Sequence, residues 1–278
     1  MNAAATNDKV GPWRDAGALL AWAACGAAIF AHILGPGAAL VTGLVLFALG
    51  LSHGAGEEEG GAIRPIGFPQ AAAYIVAGLG VAGLFLASAA AGFALFFILS
   101  AWHFGKADDG FAGGARLAIA ALAIGGSALL RPQETLDLLE LAGGGSIPGP
   151  MFLALRIVGG LGAVAALAAL LKNLRGCGEA AIALAACALL HPVLAVGLAF
   201  LTGHAIPVQR RQIRKFGLSA VRIAVLLPTL VAGLGLALLA ALAFYGVLKL
   251  ETATAIAIGL ATPHMLTERM APREGARA

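Results

Sequence analysis

Ser100-Ala-Trp-His103-Phe-Gly105-Lys-Ala-Asp108 closes a long apolar run and sets an imidazole, a glycine and a carboxylate together where that run ends. A run of this kind reads as a helix that spans a bilayer, and ionisable groups at its boundary are costly enough to point to function. The pattern recurs along the chain. Gly50-Leu-Ser-His53-Gly-Ala-Gly-Glu57 ends an earlier apolar run, Leu201-Thr-Gly-His204 a later one, and Thr262-Pro-His264-Met the last. Four histidines therefore stand at four comparable helix ends.

Composition fixes the class. Of 278 residues 60% are hydrophobic and 12% charged, and the mean hydropathy is +0.92. That is too apolar for a soluble domain of this length, so an all-α polytopic transmembrane bundle of about 8–10 helices is expected. No alternating pattern suggests a barrel. The first apolar window, near Ala16, lacks an A-x-A cleavage site and is expected to be a retained helix rather than a signal peptide. Cys25, Cys177 and Cys187 have no C-x-x-C spacing and read as packing residues. The net charge of +4 sits in loops beside apolar spans; that is a topological signal and not a nucleic-acid interface.

The expected organisation is a cytoplasmic segment 1–15, one transmembrane domain 16–270 and a cytoplasmic tail 271–278. Spans are predicted at about 16–35, 38–54, 70–88, 90–104, 114–131, 150–171, 178–191, 192–207, 222–247 and 251–268. The 39 glycines let helices approach closely. Gln209-Arg210-Arg211-Gln-Ile-Arg214-Lys215, followed by Arg222, reads as a short cationic loop that stays in the cytoplasm, and Lys172, Arg175, Arg269, Arg273 and Arg277 agree with it. Segment 131–150 reads as a loop on the opposite side, with Glu134, Asp137 and Glu140 against Arg131. With the amino terminus inside, His53, His103, His204 and His264 share the cytoplasmic face of the cell (inner) membrane, while His32 and His191 fall near the other face. Residues 178–207 divide at His191-Pro192, because proline disfavours helix in its predecessor; a single tilted helix is the other reading.

A lone histidine at a helix end is as readily a cap as a ligand. Four at matching depth favour an all-nitrogen metal site for iron, copper or zinc. Glu57, four residues after His53, and Asp108, five after His103, are spaced to accept the second ring N–H of a ligand imidazole. Ordinary solvated loop charge is the competing reading for both, and the same holds for Glu268. Phe97, Trp102 and Phe104 are candidates to line a substrate path, although aromatic residues near helix ends also serve as interface anchors.

The motifs together resemble the Brp/Blh family of membrane β-carotene oxygenases. Gly50-Leu-Ser-His53-Gly-Ala-Gly-Glu57 is similar to the family's G-L-P-H-G-x-x-D, and Trp102-His103-Phe-Gly105-Lys-Ala-Asp108 to its Y-H-F-G-x-x-D. Phe200-Leu-Thr-Gly-His204 and Thr262-Pro-His264-Met-Leu extend the likeness over nearly the whole chain. Where the family's third motif carries a second histidine four residues on, this chain has Val208. The resemblance implies an Fe(II) dioxygenase that adds O2 across the central double bond of β-carotene or a related carotenoid, giving retinal, with a functional link to a microbial rhodopsin. It implies His53, His103, His204 and His264 as iron ligands and Glu57 and Asp108 as their supports. A carotenoid dissolves in lipid, so a cleft between small-residue helices suits lateral entry from the bilayer. The readings that stay open beside it are a non-enzymatic relative, acting as a transporter or opsin-biogenesis factor, and a bis-histidine haem protein.

Overall fold

The structure is a computed structural model that describes residues 13–54, 56–59, 62–65, 67–105 and 110–267; the side chains of His53, of residues 56–59 and of His264 lie outside that description. Glycine and proline punctuate the chain. Helix α1, Trp13–Leu34, stops at Gly35, whose φ of 106° suits glycine, and Pro36 then starts α2, Pro36–Gly50, where its missing N–H costs nothing. A 3₁₀ turn, Leu51–Gly54, carries His53 and leads into an antiparallel ribbon of β1, Gly56–Glu59, and β2, Ala62–Pro65. Glu57 is therefore on a strand, opposite Arg64, and not one helical turn beyond His53. The glycines at 54 and 56 explain the difference, since they end the helix before a further turn can form.

Helices α3, Phe68–Ala87, and α4, Ala89–Gly105, follow, the second ending with His103. The next span is α5, Gly113–Ala121, a π-helical segment Leu122–Gly126, and α6, Ser127–Leu130. The segment expected to be a loop at 131–150 contains a helix instead, α7, Pro132–Gly143. Proline at its first position, Glu134 in its first turn and a left-handed Gly144 after its end are ordinary helix punctuation. Its Leu136, Leu139 and Ala142 pack on the Phe85–Phe93 cluster.

After α8, Gly149–Leu171, and α9, Cys177–Leu189, the chain breaks at Leu190 and His191, both extended. Residues 178–207 thus form two helical segments. From Pro192 the helix runs on as α10, Pro192–Phe200, a second π segment, Leu201–Ala205, and α11, Ile206–Phe216. The cationic stretch 209–215 is consequently helix rather than loop; apolar length does not limit a helix whose polar end stands clear of the lipid. Gly217 turns the chain into α12, Leu218–Phe244, and α13, Leu250–Thr267, completes the bundle.

Five helical segments are long and apolar enough to cross a membrane, from Ala16–Leu34 to Leu218–Phe244, and shorter apolar helices accompany them. Helix α12 turns Ile223, Leu227, Val231 and Leu234 outward, each more than 60% exposed. A stripe this apolar suits a lipid environment, where leaving it uncovered carries no hydrophobic penalty. The main core of the bundle is built from small residues, with Ala28, Ala166, Ala183 and Ala199 fully buried. Backbones meet at glycine: a methyl on Gly125 would lie 2.1 Å from the Leu155 carbonyl oxygen, and one on Gly159 equally close to that of Gly125.

The chain passes back and forth between two ends. At one end Gly17 approaches Arg210, Gly50 approaches Phe200, and Ser100 donates to Met265 Sδ at 3.6 Å. At the other, Gly144 meets Glu251 and Arg131 donates to the Leu189 carbonyl at 3.1 Å.

Candidate active site

His103 and His204 face each other at the first of these ends. Their Nε2 atoms are 3.0 Å apart and their ring centroids 4.8 Å apart, and the residues are 1% and 2% exposed. Helix α4 brings His103 in on its last turn. His204 arrives on the π segment, whose cause is written in the sequence. Pro207 has no N–H to give the Gly203 carbonyl and its ring crowds that oxygen, so the turn widens and Ile206 N–H bonds back to the Leu201 carbonyl five residues away. The widened turn is what aims the imidazole at α4.

Aromatic rings close around the pair. Phe104 lies 4.8 Å from the His204 ring and Phe200 lies 5.9 Å from it, while Phe47 packs on Phe200 at 4.9 Å. A cavity of about 330 Å³ adjoins this cluster, lined by His103, Phe104, Phe97, Phe96, Phe200 and Ile124 among other, mostly apolar, residues. Its volume is at the lower end of the range for small-molecule sites.

Two imidazoles in this arrangement have two chemical options. One ring can donate to the other, or both lone pairs can turn on one cation. Metal–imidazole bonds of about 2.0–2.1 Å at right angles separate the two nitrogens by about 3 Å, so the spacing fits neighbouring ligands of a six-coordinate ion. Among the described residues no third His, Cys, Asp or Glu side chain completes a set of three.

His53 and His264 are carried to the same end by their backbones. Gly50, three residues before His53, packs on Phe200, and a methyl there would lie 2.2 Å from that ring. Met265, next to His264, holds Ser100, one turn before His103. The side chains of His53, His264 and Glu57, and Asp108 altogether, lie outside the described residues. Of the three aromatic residues singled out in the sequence, Phe97 and Phe104 line the cavity, and Trp102 is half-buried beside it without lining it. Sequence reasoning missed Phe47, Phe96 and Phe200. The signal for Phe200 was its place four residues before His204, one turn along the same helix.

The opposite end holds a second group of ionisable residues. Arg131 bonds Glu134 through Nε at 2.9 Å and holds its carboxyl below the usual carboxylate range. Burial pushes the His191 imidazole down, opposed by the charge of Glu134 and helped by Arg131 and His32.

No curated protein and no solved structure matches the chain. One protein-family model does, that of beta-carotene 15,15'-dioxygenase, over residues 44–270. This match takes in all four histidine motifs and most of the bundle, and on it the chain belongs to the beta-carotene 15,15'-dioxygenase family.

Proposed function

We propose that this protein is a membrane non-haem iron oxygenase that cleaves β-carotene, or a related carotenoid, at its central double bond with O2 and releases retinal. The observation that carries this reading is the buried His103–His204 pair, 3.0 Å apart, beside an apolar cavity that His103 lines. Iron(II) suits the donor set: neutral imidazoles without thiolate, with positions left for dioxygen. His103 and His204 would hold it, with His53 and His264 as the further ligands and Glu57 and Asp108 as supports for their rings.

When bound, the iron supplies the activation of dioxygen, and the reaction balances with both oxygen atoms ending on the two new carbonyl groups. The rest belongs to the protein's own residues. Phe97 and Phe104 give the polyene flat surfaces to lie on, and the apolar wall excludes water. Fixing the chain in the cavity sets one double bond beside the histidines, and this positioning is the source of regioselectivity. Entry from the bilayer matches the lipid-suited exterior. The histidine-bearing end is the cytoplasmic one in this reading, because Arg210, Arg211, Arg214 and Lys215 follow His204. Retinal made there would be available to a rhodopsin.

The test is expression in a β-carotene-accumulating bacterium with extraction of pigments. Retinal is expected with the parent and should fall at least about a hundredfold in His103→Ala. Unbleached cells containing well-inserted parent protein would count against carotenoid cleavage.

A further inference from the structure

Among the described residues three hydroxyl side chains line the cavity, and their bonding differs. Ser100 donates to Met265 Sδ, and Thr135 donates to the Arg131 carbonyl at 2.9 Å. Ser127 is 6% exposed, and its Oγ has no hydrogen-bond partner of good geometry among the described residues. The Cys187 thiol is its polar neighbour; that thiol gives its proton to the Leu122 carbonyl at 3.5 Å, and its sulfur offers Ser127 only a weak, poorly aligned acceptor.

The backbone explains why Ser127 stands apart. A buried hydroxyl in a helix ordinarily bonds the carbonyl four residues back. Thr135, Thr202 and Thr262 all do so, to Arg131, Leu198 and Ile258. For Ser127 that carbonyl belongs to Ala123, inside the π segment Leu122–Gly126, where the ladder is widened. The hydroxyl is left at the cavity wall with donor and acceptor capacity to spare.

Its place along the cavity matters too. Arg131, one turn beyond Ser127, is bonded to Leu189, just before α10 begins at Pro192, and both Pro192 and Phe200 line the cavity. Ser127 therefore stands at the Pro192 end and His103 at the other, separated by a stretch of α10 of about 12 Å at the usual helical rise. Helices α7 and α8, which both pack on α6, add Leu138, Leu139 and Leu155 to the lining, with Thr135 as the polar exception.

We propose that Ser127 recognises an oxygen on the terminal ring of the carotenoid, so that ring-oxygenated carotenoids, bearing a hydroxyl or a ketone, are the better ligands of this cavity. The inference rests on the carotenoid-cleaving reading and specifies its substrate class. A polyene lying along α10 with its reacting bond at the histidines brings a ring to Ser127. The hydroxyl can donate to a ketone or exchange bonds with a ring hydroxyl.

The test uses the full-length protein in detergent and two ligands, β-carotene and the same carotenoid hydroxylated on both rings. Quenching of tryptophan emission reads binding for the parent and for S127A, and pigment extraction reads cleavage. The parent should bind the hydroxylated ligand about five- to tenfold more tightly than β-carotene, the gain expected from one added hydrogen bond, and S127A should bring the ratio to about one. S127A removes no more than a weak contact to the Cys187 sulfur, so its thermal midpoint should stay close to the parent's; S127T, which keeps the hydroxyl, should retain the preference. A parent that cleaves or binds both ligands equally, or a preference that survives in S127A, overturns the inference and leaves the oxygenase reading standing. Preferential binding lost in S127A without cleavage of either ligand supports the inference and counts against the oxygenase reading. Binding of neither ligand overturns both.

Discussion

At the scale of single residues the informative contrast is between the histidines of the two ends. His103 and His204 were legible in the sequence, because each closes an apolar run beside small or aromatic residues. Their pairing was not, because nothing local says that residues 101 positions apart will meet. His191 is of the other kind, held at a helix break with its Nδ1 buried and without a hydrogen bond among the described residues. Since burial lowers its folded-state pKa, the folded protein favours the neutral ring. Stability is then undiminished above the ordinary histidine range and falls as pH drops through the lowered value, where the unfolded chain takes up the proton more readily. Glu134, also lowered, loses its contribution in the same direction at more acid pH. The thermal midpoint of the purified protein should be flat from about pH 7 to about pH 8 and decline below about pH 6. His191→Asn should lessen that decline, and an unchanged profile would show that the group does not control it.

The scale of the element explains what the hydrophobic pattern could and could not deliver. Apolar length located the spans well, and Pro192 marked the break between α9 and α10. Pattern reading failed where polarity and helicity part company. Helix α7 carries Glu134, Asp137 and Glu140, and α11 carries four cations, so both read as loops although their caps and turns are helical. The ribbon after His53 escaped notice because four-residue strands leave almost no periodic trace, and its Ile63 is buried in a cluster with Val221, Ala224 and Val225 on distant α12. Close packing gives a sharper expectation. The atom nearest to a methyl on Gly125 is a backbone oxygen of α8, which cannot rotate aside. Gly125→Ala should cost about 1–3 kcal/mol of stability, the usual range for overpacking, and lower the thermal midpoint accordingly. Gly160→Ala, on α8 with open space around it, should leave the midpoint nearly unchanged.

At the scale of the whole molecule, the ends of the bundle differ in charge as well as in histidine content. Lys172 and Arg175 follow α8 toward the same end as α11, whereas Glu134, Asp137 and Glu140 lie at the opposite one. If this asymmetry sets the orientation, a fluorescent reporter fused after Ala278 should be bright in the cytoplasm, and an alkaline phosphatase fusion placed in the loop 145–148 should be active outside. The converse pattern would invert the proposed cytoplasmic histidine face. Fold class was available from composition. The cavity was not, because its walls come from α2, α4, α10 and α13 together.

The second π segment has a further consequence. Relative to an unbroken helix it holds one extra residue, so everything after it is turned by about 100° from the phase that α10 sets. It works as a phase shifter between two surfaces with different duties: α10 fits Gly197 against α2 and Phe200 against the cavity, while α11 brings Arg210 against Gly17 of α1. Each half can therefore vary its face without forcing a compromise on the other, and His204 occupies the joint where the two phases meet.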